Sequence, residues 1–270
     1  MLEGEGRPNV HYVVSAVGAV GTGKSSLLNA IIDEYTFETG NGTDAKTDKV
    51  RGEVKEWALE WRVARKADRK SRESRYCHLI DTPGLIDSNI EDRQNIQEMI
   101  TYFKSLENGV SAFFLVFNIN DIRLDAYTQN MLSLFHQLLG EKFWNFVVIV
   151  FTHVDEDLQE DLEENIEAVT ASDDGFVAEI RRLYKLPRSF QPSVIFTSTQ
   201  NVRTNSYTQK RIRELYSAVG MCESRNDGKR FTCKWLKEIQ LKLNQEEKAN
   251  FIQQSIREAL SSMTNTCLMQ

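Results

Sequence analysis

The segment Gly18-Ala19-Val20-Gly21-Thr22-Gly23-Lys24-Ser25 fits the pattern G-x-x-x-x-G-K-[ST], and few stretches of this length restrict a fold so tightly. The pattern has meaning only between a strand and a helix, and both are present. Val10 to Val17 is an apolar run of strand length, and Ser25 to Ile32 opens an apolar helix. Glycines let successive backbone N–H groups curl around phosphate oxygens with no Cβ in the way. A helix N-terminus adds partial positive charge at the same spot. The expected phosphate cradle comprises Gly18, Val20, Gly21, Thr22, Gly23, Lys24, Ser25 and Ser26. In it Lys24 reaches the β- and γ-phosphates, and the Ser25 hydroxyl binds Mg²⁺.

A chain of 270 residues holds one large α/β domain with an appendage, or two small domains. The net charge of −6 leaves no basic excess for neutralising a nucleic-acid backbone, so nucleic acid is not expected as a partner. The opening Met1 to Gly6 is acidic and lacks the apolar core of a secretory signal. The most apolar runs, Phe113–Phe117 and Phe146–Phe151, have the length of strands rather than of membrane spans. Cys77, Cys222, Cys233 and Cys267 show no metal-ligand spacing and read as thiols of a reducing, cytoplasmic environment.

The rest of the chain alternates strand and helix signals. Glu38 to Thr47 is polar and turn-rich, and Val54 to Val63 alternates Trp57, Leu59, Trp61 and Val63 against charged residues as a half-buried strand. A basic turn, Lys66 to Arg72, joins it to Tyr76–Ile80, its expected hairpin partner. Helices are expected over Asp92–Leu106, Asp125–Leu139, Leu158–Val169, Thr208–Val219 and Phe231–Met263. Strands are expected over Ala112–Phe117, Phe146–Phe151 and Ser193–Phe196. This order predicts an α/β fold of P-loop NTPase type, a doubly wound, mostly parallel sheet with one antiparallel edge strand. A P-loop domain over residues 8–220 and a C-terminal helical extension over 221–270 follow, divided where Gly220 to Gly228 breaks the pattern.

A P-loop does not by itself choose a base. Leu79-Ile80-Asp81-Thr82-Pro83-Gly84 is an apolar strand ending in D-x-x-G, where Asp81 holds Mg²⁺ through water and the Gly84 N–H meets the γ-phosphate. Phe151-Thr152-His153-Val154-Asp155 ends another apolar strand, where GTPases carry N/T-K-x-D. A carboxylate there accepts from the N1–H and the N2 amine of guanine, a pair of donors that adenine lacks. His153 stands in place of the usual lysine and either stacks on the base or has no ligand role. Ser198, in Ile195-Phe196-Thr197-Ser198-Thr199, lies where a backbone N–H meets guanine O6.

Together these segments resemble the immunity-associated GTPases (GIMAP) and the plant avirulence-induced-gene (AIG-type) GTPases, in the septin and chloroplast Toc receptor branch. Two further stretches carry the resemblance. Asp121-Ile122-Arg123-Leu124-Asp125-Ala126 leading to Leu138–Trp144 is similar to that family's Arg-led acidic turn, helix and Leu-Gly-Glu ending. Asp227-Gly228-Lys229-Arg230-Phe231-Thr232 is similar to its G-G-K-x-Y-T element. The resemblance spans about residues 9 to 240. It implies GTP or GDP with Mg²⁺ as ligands, Lys24 on phosphate, Ser25, Thr47 and Asp81 around the metal, and Asp155 on the base. Thr43 competes with Thr47 for the role of the threonine that closes over the metal.

The resemblance also implies nucleotide-dependent pairing of two copies through the AIG-type G domain, and the residues themselves lead to an expectation of slow intrinsic hydrolysis. Ras-like proteins orient water with a glutamine just after D-x-x-G, and here that position is Leu85. Arg123 is the candidate for a residue acting across a dimer, with local pairing to Asp121 or Asp125 as the competing role. The residues Cys267-Leu268-Met269-Gln270 fit C-a-a-X, a farnesylation pattern. Without a polybasic companion, one prenyl chain at Cys267 would hold the protein only reversibly on an intracellular membrane.

Overall fold

Apolar runs that continue without alternation belong at the centre of a sheet covered on both faces. The computed structural model, which describes residues 10–40, 49–61, 75–85, 91–106, 108–155 and 162–232, places them there. Its strands are β1 (Tyr12–Val17), β2 (Arg51–Glu56), β3 (Tyr76–Asp81), β4 (Ala112–Asn118), β5 (Val147–Thr152) and β6 (Ser193–Phe196). They form one sheet in the order β2-β3-β1-β4-β5-β6. All neighbours are parallel except β2, which runs antiparallel to β3 at one edge. The expected architecture is the one found.

Side chains alternate across this sheet and fill two apolar layers. Phe113, Leu115 and Phe117 of β4 point to one layer, and Phe114 and Val116 to the other. The first layer is closed by α2 (Glu91–Ser105), α3 (Ala126–Leu139), α4 (Leu162–Thr170) and α5 (Phe176–Leu183). The second is closed by α1 (Lys24–Ile32) and α6 (Ser206–Arg225), through Leu27, Leu28 and Ile31 against Ile212, Leu215 and Val219. After β1 the chain lays down β2 and β3 on one side and then β4 on the other. The carboxyl ends of the strands therefore leave a crevice at β1 and β4, the usual ligand position in open α/β sheets.

Three expectations need correction. The strand expected over Val54–Val63 lies earlier, at Arg51–Glu56, because its partner β3 begins at Tyr76 and pairing stops there. Beyond it the Ala58 N–H donates to the Ile31 carbonyl at 2.8 Å, so the chain turns over α1. The alternating aromatics serve packing instead: Trp57 sits edge-on to Phe114 and Tyr216, and Arg213 lies over Trp61. The helix α5 was not expected at all, although Phe176, Val177 and Ile180 form its buried face and Arg181 and Arg182 its basic last turn.

The third correction concerns the C-terminal side. α6 continues through Gly220 to Arg225, so a boundary at 220 cuts a helix. Phe231 is not the start of a helix but makes an antiparallel bridge with Val110. Its ring meets Phe113 and Phe146 edge-on at centroid distances of 5.2 and 5.7 Å. The basic turn at 66–72, the start of the acidic helix at Leu158, the helix expected beyond Thr232 and Cys267 lie outside the described residues.

Phe231 thus belongs to the core of the domain. Phe231→Ala is expected to lower the unfolding free energy by about 3 kcal/mol, the usual loss for an emptied core aromatic site. Urea denaturation reads this as a lower midpoint with little change in slope.

Candidate functional site

The P-loop leaves the end of β1 and turns into α1 through Gly23, whose φ of 84° is left-handed and favours glycine. A Cβ there would lie 3.2 Å from the Thr152 hydroxyl, so residue 23 is also small for reasons of space. Lys24 opens α1 with its side chain buried, and its ammonium donates to the Ala19 carbonyl at 2.7 Å. Burial lowers its pKa to about 8, while the nearby Asp81 carboxylate acts in the opposite direction. The Ser25 hydroxyl donates to the Asp81 carboxylate at 2.6 Å, which joins α1 to the end of β3.

Thr152, the last residue of β5, is fully buried. Its hydroxyl donates to the Thr22 carbonyl at 2.6 Å, with the Phe117 carbonyl 3.1 Å away. With its one hydrogen committed to a carbonyl, the same oxygen can only accept from His153 Nδ1 at 2.9 Å. That assigns the proton of the neutral imidazole to Nδ1 and leaves Nε2 as the acceptor. The outer side of His153 is exposed, but its inner side is desolvated against Thr152, and this lowers its pKa against the opposing charge of Asp155. A left-handed φ of 62° at His153 turns the chain so that Asp155 emerges exposed on the pocket wall. Buried Val154 anchors the turn, and its N–H donates to the Thr197 carbonyl at 3.4 Å.

These segments line one cavity of about 670 Å³. Val20, Gly21, Gly23, Lys24, Ser25 and Ser26 line it from the P-loop and the start of α1, Gly84 from the loop after β3, and His153, Asp155 and Ser198 from the loops after β5 and β6. Gly18, Thr22 and Thr152 are buried and are not among its lining residues, and Asp81 lies behind Ser25 at 1 % exposure. Arg123 is exposed on the turn before α3, away from the cavity lining, and forms no ion pair with Asp121 or Asp125. Asp125 instead caps α3 by accepting from the Thr128 N–H at 2.7 Å. Thr43 and Thr47 lie outside the described residues.

Sequence reasoning missed part of the wall. The Asn29 side chain accepts from the Thr36 and Phe37 N–H groups and donates to the Phe37 carbonyl, all within 2.9 Å. It shapes the loop that brings Tyr35, Glu38 and Thr39 to the cavity. Arg203, beyond β6, donates to the Asp33 carboxylate at 2.9 Å and ties the two rims together. Asn120 and Gln200 also line the cavity. Only the polarity of Asn29, on an otherwise apolar helix face, was a visible signal.

The sequence model of the AIG1 family matches residues 13–251. Immune-associated nucleotide-binding protein 9 of Arabidopsis thaliana is 26 % identical over 236 residues, covering 86 % of this chain and 62 % of its own length. The chain thus spans about three-fifths of that relative. Toc33 from Arabidopsis thaliana, solved with Mg²⁺ and GMPPNP, has the same fold at a TM-score of 0.56 and 15 % identity, covering 81 % of this chain and 86 % of Toc33. The structure described with the statement that dimerisation is important for the GTPase activity of chloroplast translocon components atToc33 and psToc159 aligns at a TM-score of 0.58 and 15 % identity. It covers 78 % of this chain and 82 % of its own.

The lowered pKa of Lys24 has a signed consequence. Between pH 8 and the ordinary lysine value of 10.5, the unfolded chain holds this proton more tightly than the folded one. Its contribution to stability therefore rises with pH across that window. Cys77, whose thiol burial pushes up to about 12, pulls the other way. The test is the difference between the unaltered chain and Lys24→Met, in which other groups cancel. That difference is expected to shift in favour of the unaltered chain from pH 8 upward, read by thermal unfolding without nucleotide.

Proposed function

This chain belongs to the AIG1 family, and from that premise we propose that it binds GTP and GDP with Mg²⁺ and hydrolyses GTP slowly, assisted by pairing of two copies. One observation carries the reading: a single cavity is lined both by the Lys24–Ser25 cradle and by Asp155 with His153. A nucleoside polyphosphate suits such a lining, being anionic in one part and a hydrogen-bonding planar ring in another. Asp155 accepts from the two adjacent donors of guanine, and the exposed face of the neutral His153 packs on the ring. Lys24 and the P-loop amides hold phosphate.

The donor set suits a hard divalent cation. A hydroxyl and a carboxylate, Ser25 and Asp81, meet at 2.6 Å beside the phosphate-binding lysine. Mg²⁺ is commonly held by one or two carboxylates together with substrate phosphate and water. Ser25 and Asp81 would hold it here, and Thr47 is proposed as a third contact. The ion would neutralise charge on the transferred phosphoryl group.

Leu85 sits where a water-orienting side chain would stand, and it is buried with its face in the core. That observation supports slow turnover by the isolated chain, with the missing group supplied by the partner copy. Arg123, exposed and unengaged by its acidic neighbours, is the residue proposed to cross. The same burial favours a second reading, a GTP-binding assembly scaffold with negligible hydrolysis.

Two measurements test this. Calorimetry is expected to show GTP and GDP binding in the presence of Mg²⁺ and much weaker ATP binding. Asp155→Asn is expected to reduce the preference for guanine about 10- to 100-fold, the worth of hydrogen bonds to a charged group. In single-turnover assays the rate per molecule should climb with protein concentration and fall in Arg123→Ala. A flat rate near zero with GTP retained would establish the scaffold reading instead.

A further inference from the structure

We propose that Tyr127 is a positioning residue that sets how strongly this site discriminates a triphosphate from a diphosphate. The inference rests on the guanine-nucleotide reading and concerns the loop that follows β3. Every residue of that loop, Asp81 to Leu85, is buried. The Thr82 hydroxyl donates to the Ala16 carbonyl at 2.8 Å and fixes its start. At its far end the loop lies directly on the P-loop. A Cβ added to Gly84 would come within 2.5 Å of Val20 Cγ2 and 2.7 Å of its Cα, so only glycine allows this approach.

The closure has a specific lock. Leu85 forms a parallel bridge with Ala19, and its carbonyl accepts from the Val20 N–H at 3.3 Å. A second donor reaches the same carbonyl, the hydroxyl of Tyr127 from the first turn of α3. The Leu85 side chain is held in the apolar layer that also contains Leu124 and Met131. One carbonyl therefore links three segments: the P-loop, the D-x-x-G loop and the amino end of α3.

The electrostatic logic gives the direction. P-loop amides and Lys24 attract anions, yet here the Val20 N–H faces a protein carbonyl and the Lys24 ammonium faces that of Ala19. A third phosphate arriving between Lys24 and Gly84 competes with those carbonyls for the same donors. The Tyr127 hydroxyl stabilises the Leu85 carbonyl where it stands and so favours the arrangement without the third phosphate. A ligand shifts such an equilibrium only through its different affinity for the two arrangements. Tyr127 stands in the first turn of α3, four residues after Arg123, and any coupling between that region and the phosphate site is reciprocal by linkage. A ligand of the Asp121–Asp125 turn that displaces Tyr127 would alter the preference for the third phosphate, and the third phosphate would alter the affinity of that ligand.

The experiment compares GDP and a non-hydrolysable GTP analogue, with Mg²⁺, on the unaltered chain, Tyr127→Phe and Tyr127→Leu. Both variants are expected to raise the ratio of analogue affinity to GDP affinity by about 3- to 10-fold, the worth of one neutral hydrogen bond. Tyr102→Phe removes a different tyrosine hydroxyl, 3.0 Å from His78 Nε2, and is expected to leave the ratio unchanged. General loosening weakens both ligands alike. A ratio within twofold of the unaltered chain, a shift towards GDP, or an equal shift in Tyr102→Phe overturns the assignment to Tyr127. Failure of the unaltered chain to bind either nucleotide overturns the guanine reading and, with it, this one.

Discussion

Two short hydrogen bonds suspend the P-loop between distant strands, and the rest of the site depends on them. On one side the Ser25 hydroxyl meets Asp81 at the end of β3, and on the other the Thr152 hydroxyl meets the Thr22 carbonyl at the end of β5. Neither strand is the one from which the loop springs. The loop is thus held from three directions by the carboxyl ends of β1, β3 and β5, mutually parallel strands of one sheet. Parallel pairing brings those ends to the same edge, and its helices bury both faces of the sheet so that the ends form a rigid rim. A cradle for a flexible anion needs such a rim, because backbone N–H groups bind well only when already aimed.

The same construction accounts for the charge balance. Lys24 is buried, and its ammonium is satisfied by a carbonyl and partly compensated by Asp81. A buried cation with incomplete compensation is held at a disadvantage, seen in its lowered pKa, and an anion placed beside it would relieve it. Against the P-loop, the Thr152 hydroxyl sets the tautomer of His153 while its other bond holds the Thr22 carbonyl. The P-loop and the His153 turn are therefore joined through one side chain at the end of β5.

Much of this was legible because the relevant patterns are local. The phosphate loop, D-x-x-G and the Thr152–Asp155 turn are contiguous stretches, each ending an apolar strand. Uninterrupted runs such as Phe113–Phe117 announced central strands, and the alternation in the Trp57–Val63 stretch suggested an edge. That alternation misled about register, because packing against α6 produces the same pattern as strand pairing. Helix α5 escaped notice because it is only eight residues long and follows an acidic, glycine-containing turn. Phe231 reads as the start of an apolar periodicity, yet its place is set by a bridge to Val110, more than a hundred residues away.

By itself the amino-acid order determined the chemical groups available to this protein: a glycine-rich loop ending in Lys24 and Ser25, the Asp81 carboxylate and the Asp155 carboxylate, each encoded within a few residues. Tertiary structure alone decided how these are held and linked. The Tyr127–Leu85, Thr152–Thr22 and Arg203–Asp33 contacts join residues 42, 130 and 170 positions apart. No local periodicity marks such pairs, because a side chain's partner across the sheet depends on strand order and register. Those follow from how the whole chain buries its apolar surface.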